Sequence, residues 1–413
     1  MPIRYFRRPR LLAGLLVMSI STSSFASSPA LSQFMQEVWQ NNPSIQAAEA
    51  ALLAAKSRKQ AASKAIYNPE LDFDLERTAV NTFSLGINQT LDRGNKRAAA
   101  TSKADAEIQA SEAELKARRL QVSAEVLNAL VGLQYVDKLQ QLAKQRVLLM
   151  QNLVNNTESR QSAGDVGLQN LALARVALSE AKMQLANTAA QKAKNLGQLQ
   201  IATGFFVKHW PALASEPPAP APSLSNLEKY LNQLPELNRL KAMLLASKSN
   251  LRLSQANRKS DPSFGVRGGM DGEDALLGVS VSMPLFVRNN FRAEVEVANQ
   301  ERFQIENTLM SAIRSAEATL NASHRQYQIV FDAWQSWKQN GINNLDEQMK
   351  LIQAIWKSGE MNTTNYLIQA KQNVDAQETA VELSTQMWNA WIDWLVASGE
   401  LEQWINASRN KSN

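Results

Sequence analysis

The chain of 413 residues has no cysteine and only two histidines, His209 and His324, which lie far apart in sequence. Without thiols there is no disulfide framework, no thiolate metal site and no N-terminal cysteine to carry a lipid. No His-acid pair stands at metal-ligand spacing, and Gly94-Asn95-Lys96 lacks the second glycine and the Ser/Thr of a phosphate loop. No residue is therefore assigned a catalytic, cofactor or metal role, and the chain reads as a non-enzyme. His209, beside Trp210-Pro211, is expected to be a packed linker residue.

An excess of one charge is also missing. The formal net charge is +6, but Arg4, Arg7, Arg8 and Arg10 stand in the first 26 residues without an acid, and subtracting these four leaves +2. The remaining basic residues are mixed with acids along helices, which excludes the footprint of a nucleic-acid binder. Long apolar runs are absent too. The one from Leu11 to Ile20 is too short for the roughly 20 residues of a spanning helix. With the arginines before it and the small-residue site Ser24-Phe25-Ala26 after it, it reads as a secretory signal over 1–26, with Sec export and a mature start at Ser27.

Proline and glycine are sparse, with 13 and 16 in the whole chain. From about Asn95 to Asn156 there is no proline and one glycine, Gly132. This predicts a single helix of roughly 90 to 95 Å at 1.5 Å per residue. Tyr135, Leu139, Leu142, Leu149 and Leu153 keep coiled-coil spacing along it, with Arg146 on the skipped position. An equivalent helix is expected from about Asn290 to Lys357. Shorter helices are expected over Leu31 to Ile66, Leu168 to Thr203, Leu224 to Arg258 and Thr363 to Gln403, each pair stacked end to end beside a long one. Trp388, Trp391 and Trp394, three apart, read as packing on one helical face.

What is present is present twice. Asn42-Pro43-Ser44-Ile45, Tyr67-Asn68-Pro69-Glu70-Leu71, Leu85-Gly86-Ile87 and Leu91-Asp92-Arg93 recur as Leu234-Pro235-Glu236-Leu237, Ser260-Asp261-Pro262-Ser263-Phe264, Leu277-Gly278-Val279 and Leu285-Phe286-Val287-Arg288. Gly164-Asp165 answers Gly359-Glu360, and Thr203-Gly204 answers Ser398-Gly399. A repeat this long is a whole subdomain rather than a solenoid unit. The expected division is a first repeat over 27–204 with a hairpin at 71–91, a Pro-rich connector at 205–223, and a second repeat over 224–413 with a hairpin at 263–284. The connector, with Pro217-Pro218-Ala219-Pro220-Ala221-Pro222, is expected to be extended and to lie outside the helices near their middle.

Four segments alternate instead of following a helical period: Leu71-Asp72-Phe73-Asp74-Leu75-Glu76, Phe83-Ser84-Leu85-Gly86-Ile87-Asn88, Phe264-Gly265-Val266-Arg267 and Leu277-Gly278-Val279-Ser280-Val281-Ser282-Met283. Alternation of this kind suits a half-buried sheet or a membrane β-barrel with its apolar side to lipid. In an exported chain with long helices beside each hairpin, the barrel reading is favoured. Four strands cannot close, and open edges are not tolerated in lipid, so several chains must share one barrel. Three copies supply twelve strands.

Asn42-Pro43 with its Ala-rich helix, Leu91-Asp92-Arg93-Gly94, Pro284-Leu285-Phe286 before Arg288-Asn289, and the two Gly-acid turns together resemble the outer-membrane efflux (TolC-like) family. The resemblance covers essentially the whole mature chain; Thr90 departs from it, standing where the second half has Pro284. It implies a mainly α fold with a small β part: a periplasmic α-barrel of long coiled-coil helices and a trimeric twelve-stranded β-barrel in the outer membrane of a Gram-negative bacterium. It also implies a homotrimer in outer-membrane lipid, a periplasmic adaptor (membrane fusion) protein and an inner-membrane pump of the RND type. Met283 to Asn290 looks most like the branch serving cobalt, zinc, cadmium or nickel resistance pumps. Other exit ducts, for drugs or secreted proteins, share this fold, and a periplasmic coiled-coil scaffold without a pore is the reading from another class.

Two candidate regions follow. By resemblance, the turns Gly164, Asp165, Val166, Gly167 and Leu168, and Ser358, Gly359, Glu360 and Met361, are the tips that meet the adaptor. From the alternation, Asp72, Asp74 and Glu76 share the polar face of one strand, so a trimer places nine carboxylates in the lumen, partly offset by three copies of Arg267. Such a lining biases ion passage.

Overall fold

The computed structural model describes residues 29–407, apart from 78, 222, 223 and 225; the expected leader lies outside the described residues. The chain opens with α1 (Pro29–Asn41) and α2 (Pro43–Ala62), then the hairpin β1 (Glu70–Arg77) and β2 (Asn81–Thr90), then α3 (Lys96–Ser162) and α4 (Leu168–Thr203). After the connector come α5 (Leu227–Gln233), α6 (Pro235–Asn257), the hairpin β3 (Ser263–Asp271) and β4 (Asp274–Ser282), α7 (Arg292–Asn340), α8 (Ile342–Lys357), α9 (Thr363–Ser398) and α10 (Leu401–Asn406).

The long first helix is real and longer than expected, 67 residues or roughly 100 Å. Asp92 starts it by accepting from the backbone N–H of Lys96 and Arg97, both at 2.9 Å, which satisfies two donors that an α-helix leaves open. Its counterpart is not continuous. It breaks at Gly341, where an added Cβ would stand 2.7 Å from the Trp337 ring, so only glycine lets that indole lie on the backbone. The shorter helices are likewise divided. Pro43 and Pro235 bring no N–H and push the residues before them, Asn42 and Leu234, to extended backbone, so α1 and α5 end there. The left-handed Gly399 separates α9 from α10.

The shorter helices lie beside the long ones, with α3 a one-piece column and α7–α8 a column divided at Gly341. α3 packs against α2 and α4 on one side and α6 and α9 on the other, and α7 packs on α6 and α9. The buried stripe of α3 follows the expected seam only in part: Leu153 is fully buried, but the rest of the stripe lies one residue along. Val136, Ala143, Met150 and Thr157 are buried at seven-residue intervals, while Tyr135, Leu142 and Leu149 are half-buried beside them. A helix with neighbours on both sides needs two seams, and a single heptad reading finds only their overlap.

Two apolar cores hold the helices. The larger joins α1, the middle of α3 and the end of α9. In α1, Leu31, Phe34, Met35, Val38 and Trp39 fall on one face and are all buried, and Trp39 donates from its indole N–H to Ser123 at 2.8 Å. Trp388, Trp391 and Trp394 are buried here, as their spacing implied. The connector is pinned to α7: His324 Nε2 bonds to the Ala221 carbonyl at 2.8 Å, the Tyr327 hydroxyl donates to the Pro218 carbonyl, and Lys338 pairs with Glu216 at 2.7 Å. The buried histidine is therefore His324, whose ring lies 5.0 Å from Trp394, whereas His209 is exposed rather than packed; Trp210 makes the contact there, against Phe34.

The four strands form one antiparallel sheet in the order β1-β2-β3-β4. The register puts Leu71, Phe73 and Leu75 opposite Ile87, Leu85 and Phe83, and continues through Val266 and Met270 to Val279 and Ala275. One face is thus apolar across all four strands. It is uncovered: Leu71 is 73 %, Leu75 72 %, Leu277 88 % and Val279 84 % exposed.

Candidate functional site

The opposite sheet face carries the polar residues. Asp72 faces Gly86 and Asp74 faces Ser84, while Glu76 faces Thr82. Asn88 donates to Asp72, and Ser84 reaches Asp74 at 3.4 Å. Thr82 turns instead to Asp271, at 2.6 Å. Among the described residues neither Glu76 nor Arg267 has a hydrogen-bond or ion-pair partner. Arg267 stands between two glycines, Gly86 on β2 and Gly278 on β4. The sheet thus carries the three carboxylates of β1 and Arg267 of β3 on one face, but among the described residues Arg267 is not paired with any of them.

The tips are built by glycine. Gly164 and Gly359 both sit at φ +85°, and the following N–H groups of Asp165 and Glu360 reach back to the carbonyls of Arg160 and Ile355. This left-handed cap closes each helix end. Gly167 then starts α4 from extended backbone, and Asn362 caps α9 by accepting from the Asn365 N–H at 2.8 Å. Asp165, Gly167, Leu168, Ser358 and Glu360 are exposed, and Val166 is half-buried. Met361 packs on the second core, where Trp356 and Tyr366 stack at 4.8 Å and burial pushes the Tyr366 hydroxyl up to about 12. The two tips meet: the Arg160 guanidinium lies 3.7 Å from where a Cβ on Gly359 would stand.

A third cluster, at the joint between sheet and helices, was not anticipated. Asp261 is buried and accepts from the Tyr67 hydroxyl at 2.6 Å, the Lys96 ammonium at 2.7 Å and the Arg93 N–H at 3.1 Å. Burial alone would raise its pKa, but the hydrogen bonds from Lys96 and Tyr67, with the Lys96 charge, hold it below the ordinary carboxylate value. The hydrogen bond to Asp261, with burial and the nearby acids, pushes Tyr67 up to about 12. Directly beside this cluster the Leu91 N–H bonds to the Pro262 carbonyl at 2.9 Å. The cluster fastens the base of one hairpin to the base of the other. The recurrence of Asn68-Pro69 as Asp261-Pro262 marked the place, but nothing local marked Lys96 as its partner.

A bare, continuous apolar sheet face, carried on long helical columns that end in glycine-closed tips, is the arrangement that decides the comparison. Residues 34–205 match the family model of the outer membrane efflux protein. No curated protein matches the chain in sequence. Among solved structures, CusC superposes with a TM-score of 0.77 at 16% identity, covering 96% of this chain and 98% of its own. The CmeC outer membrane channel of Campylobacter jejuni gives 0.76 at 13%, covering 96% and 94%. The open state of the MtrE outer membrane channel of Neisseria gonorrhoeae gives 0.76 at 14%, covering 91% and 90%. These likenesses establish the fold along nearly the whole chain, including the part beyond the outer membrane efflux match.

Proposed function

We propose that this chain is the outer-membrane channel-tunnel of a tripartite efflux system, working as a homotrimer in the outer membrane of a Gram-negative bacterium and extending into the periplasm. The observation that carries the reading is the sheet. β1 and β4 have unpaired outer edges among the described residues, and the face they share is apolar and exposed. Open edges beside an apolar face are stable in lipid only when other strands complete a closed barrel. The helices support the same closure, because Leu173, Val176 and Met183 on α4 and Phe303 and Met310 on α7, in the two outer columns, are uncovered.

In this reading the trimer conducts passively, and a periplasmic adaptor and an RND pump supply substrate and energy. The adaptor docks on Gly164, Asp165, Val166, Gly167, Leu168, Ser358, Gly359, Glu360 and Met361; all but the half-buried Val166 and Met361 are exposed at the far end of the helices, which suits contact with another protein. The cargo we propose is divalent heavy-metal cations, on the resemblance of Met283 to Asn290 and on the acidic sheet face. Membrane fractionation with crosslinking tests the assembly, with an outer-membrane trimer expected and a soluble periplasmic monomer refuting it. Metal sensitivity of a deletion strain tests the cargo: loss of resistance to drugs alone, with metal tolerance unchanged, refutes the metal assignment.

A further inference from the structure

Resting on the trimeric reading, we infer that β4 of one subunit pairs with β1 of the next so that Gly278 lies opposite Glu76 of the partner subunit, and that Arg267 closes an ion pair with that carboxylate across the seam. The chain itself holds the template. Its two hairpins correspond pair by pair: Asp74 opposite Ser84 in the first becomes Arg267 opposite Gly278 in the second, an offset of 193 residues from β1 to β3 and 194 from β2 to β4. The joints give the same offsets independently. Pro69 and Pro262 directly precede β1 and β3, and the turn in which Arg93 N–H bonds to the Leu91 carbonyl recurs with Val287 and Leu285, both at 2.9 Å. The correspondence therefore differs from the sequence match of Gly86 with Gly278; the second hairpin is one residue longer between corresponding pairs, which makes Gly86 equivalent to Ser280.

Between the hairpins, β2 joins β3 with Gly86 opposite Arg267 and Ser84 opposite Gly269. In a closed ring of alternating hairpins the β4 to β1 seam is the equivalent junction. Moving the β2–β3 register by the two offsets puts Ser280 opposite the partner subunit's Asp74 and Gly278 opposite the partner subunit's Glu76. The same shift sets Val279 and Val281 against the partner subunit's Leu75 and Phe73, so apolar residues meet on the lipid side, as a two-residue side-chain period demands. Charge completes the case. Arg267 lies over Gly278, where a Cβ would be 2.8 Å from its Nε and 3.0 Å from its Cγ, so the side chain runs toward the free edge of β4. Two strand spacings, about 10 Å, separate Arg267 from the partner subunit's Glu76, and two long side chains span that distance. Among the described residues neither of these side chains has a hydrogen-bond or ion-pair partner; Glu70 and Asp274, on the same face, have none either.

The absence of native cysteine allows a direct test in the full-length protein in outer membranes. Ser280→Cys is combined in turn with Asp72→Cys, Asp74→Cys and Glu76→Cys. Directly opposed strand residues have Cα atoms about 4.5–5.5 Å apart, inside the disulfide range, whereas neighbours two residues along are about 7–8 Å away and outside it. The Asp74 combination is expected to give several-fold more covalent trimer on non-reducing gels than either other. A maximum at Asp72 or Glu76, or no crosslink in an intact trimer, overturns the register. The ion pair is read from trimer dissociation temperature in detergent. An exposed pair contributes little by itself, so charge reversal, which replaces attraction by repulsion, gives the larger signal. Arg267→Glu and Glu76→Arg should each lower the temperature and their combination should restore it; additive losses overturn the pair. A wild-type chain that is monomeric in the membrane overturns the assembly itself and is recognisable before any variant is made.

Discussion

Loss of the Asp261 carboxylate should cost the fold heavily. Its carboxylate is 4 % exposed and the Lys96 side chain 13 %, so the pair is held away from water at the joint between sheet and helices. Changing Asp261 to Ala removes the acceptor of three hydrogen bonds and strands a largely covered ammonium. Breaking a buried pair from one side costs about 3–5 kcal/mol, whereas replacing both partners by apolar groups is often close to neutral. Asp261→Ala is therefore expected to destabilise each subunit by about 3–5 kcal/mol, and Asp261→Ala with Lys96→Met by much less than the sum of the two changes. Equilibrium urea unfolding in detergent, followed by tryptophan fluorescence, measures the cycle. A cost below about 1 kcal/mol for Asp261→Ala, or strict additivity, refutes the view that this pair fastens the hairpins. The pH dependence follows from the two shifts. Asp261 has a depressed folded pKa, so its contribution is complete above the unfolded value of about 3.9 and is lost as pH falls through the folded one. Tyr67 is raised to about 12. Its contribution is present below the unfolded value of about 10 and disappears as pH rises through the folded one. The joint is thus strongest between about pH 4 and 10, and the Asp261→Ala variant should lose the acid limb of the stability profile.

Replacing Gly164 or Gly359 by Val forces a β-branched residue to φ +85° and should abolish efflux, and crosslinking of engineered cysteines near Val166 to the adaptor, while the trimer still reaches the membrane; full resistance in such a variant removes the tips from docking. Changing Asp72, Asp74 and Glu76 together to Asn, Asn and Gln should reduce cation selectivity in planar bilayers, most at 10 mM salt where the Debye length is about 30 Å, and unchanged selectivity in an intact barrel means that these groups do not line the path. Gly269→Ala places a Cβ 1.8 Å from the Phe83 carbonyl oxygen, so β2 and β3 cannot keep their ladder. Heat-resistant trimer should be absent from outer-membrane extracts, and normal trimer yield contradicts the close approach of these strands.

The sequence by itself determined the elements whose cause is local. Alternation in Leu71 to Glu76 fixes which side of β1 is apolar, because successive side chains of a strand point to opposite faces. Lack of proline, with Gly132 as the single glycine, lets α3 run unbroken, and Gly164, Gly359 and Gly399 end helices because a left-handed residue without a Cβ costs little. The breaks at Asn42-Pro43 and Leu234-Pro235 were written in the chain as well, because a proline lacks an N–H and pushes the residue before it to extended backbone. Tertiary structure decided what depends on distant partners. The break at Gly341 exists because Trp337 folds onto it, and no helical propensity reports that. Most of the buried stripe of α3 lies one residue from the heptad positions, Leu153 excepted, because helices press on it from two sides. Lys96 meets Asp261 across 165 residues of chain, and the equivalence of Gly86 with Ser280 rather than Gly278 is set by hydrogen-bond register. Periodicity tells a residue which face it occupies; only packing and pairing between segments tell it which residue it faces.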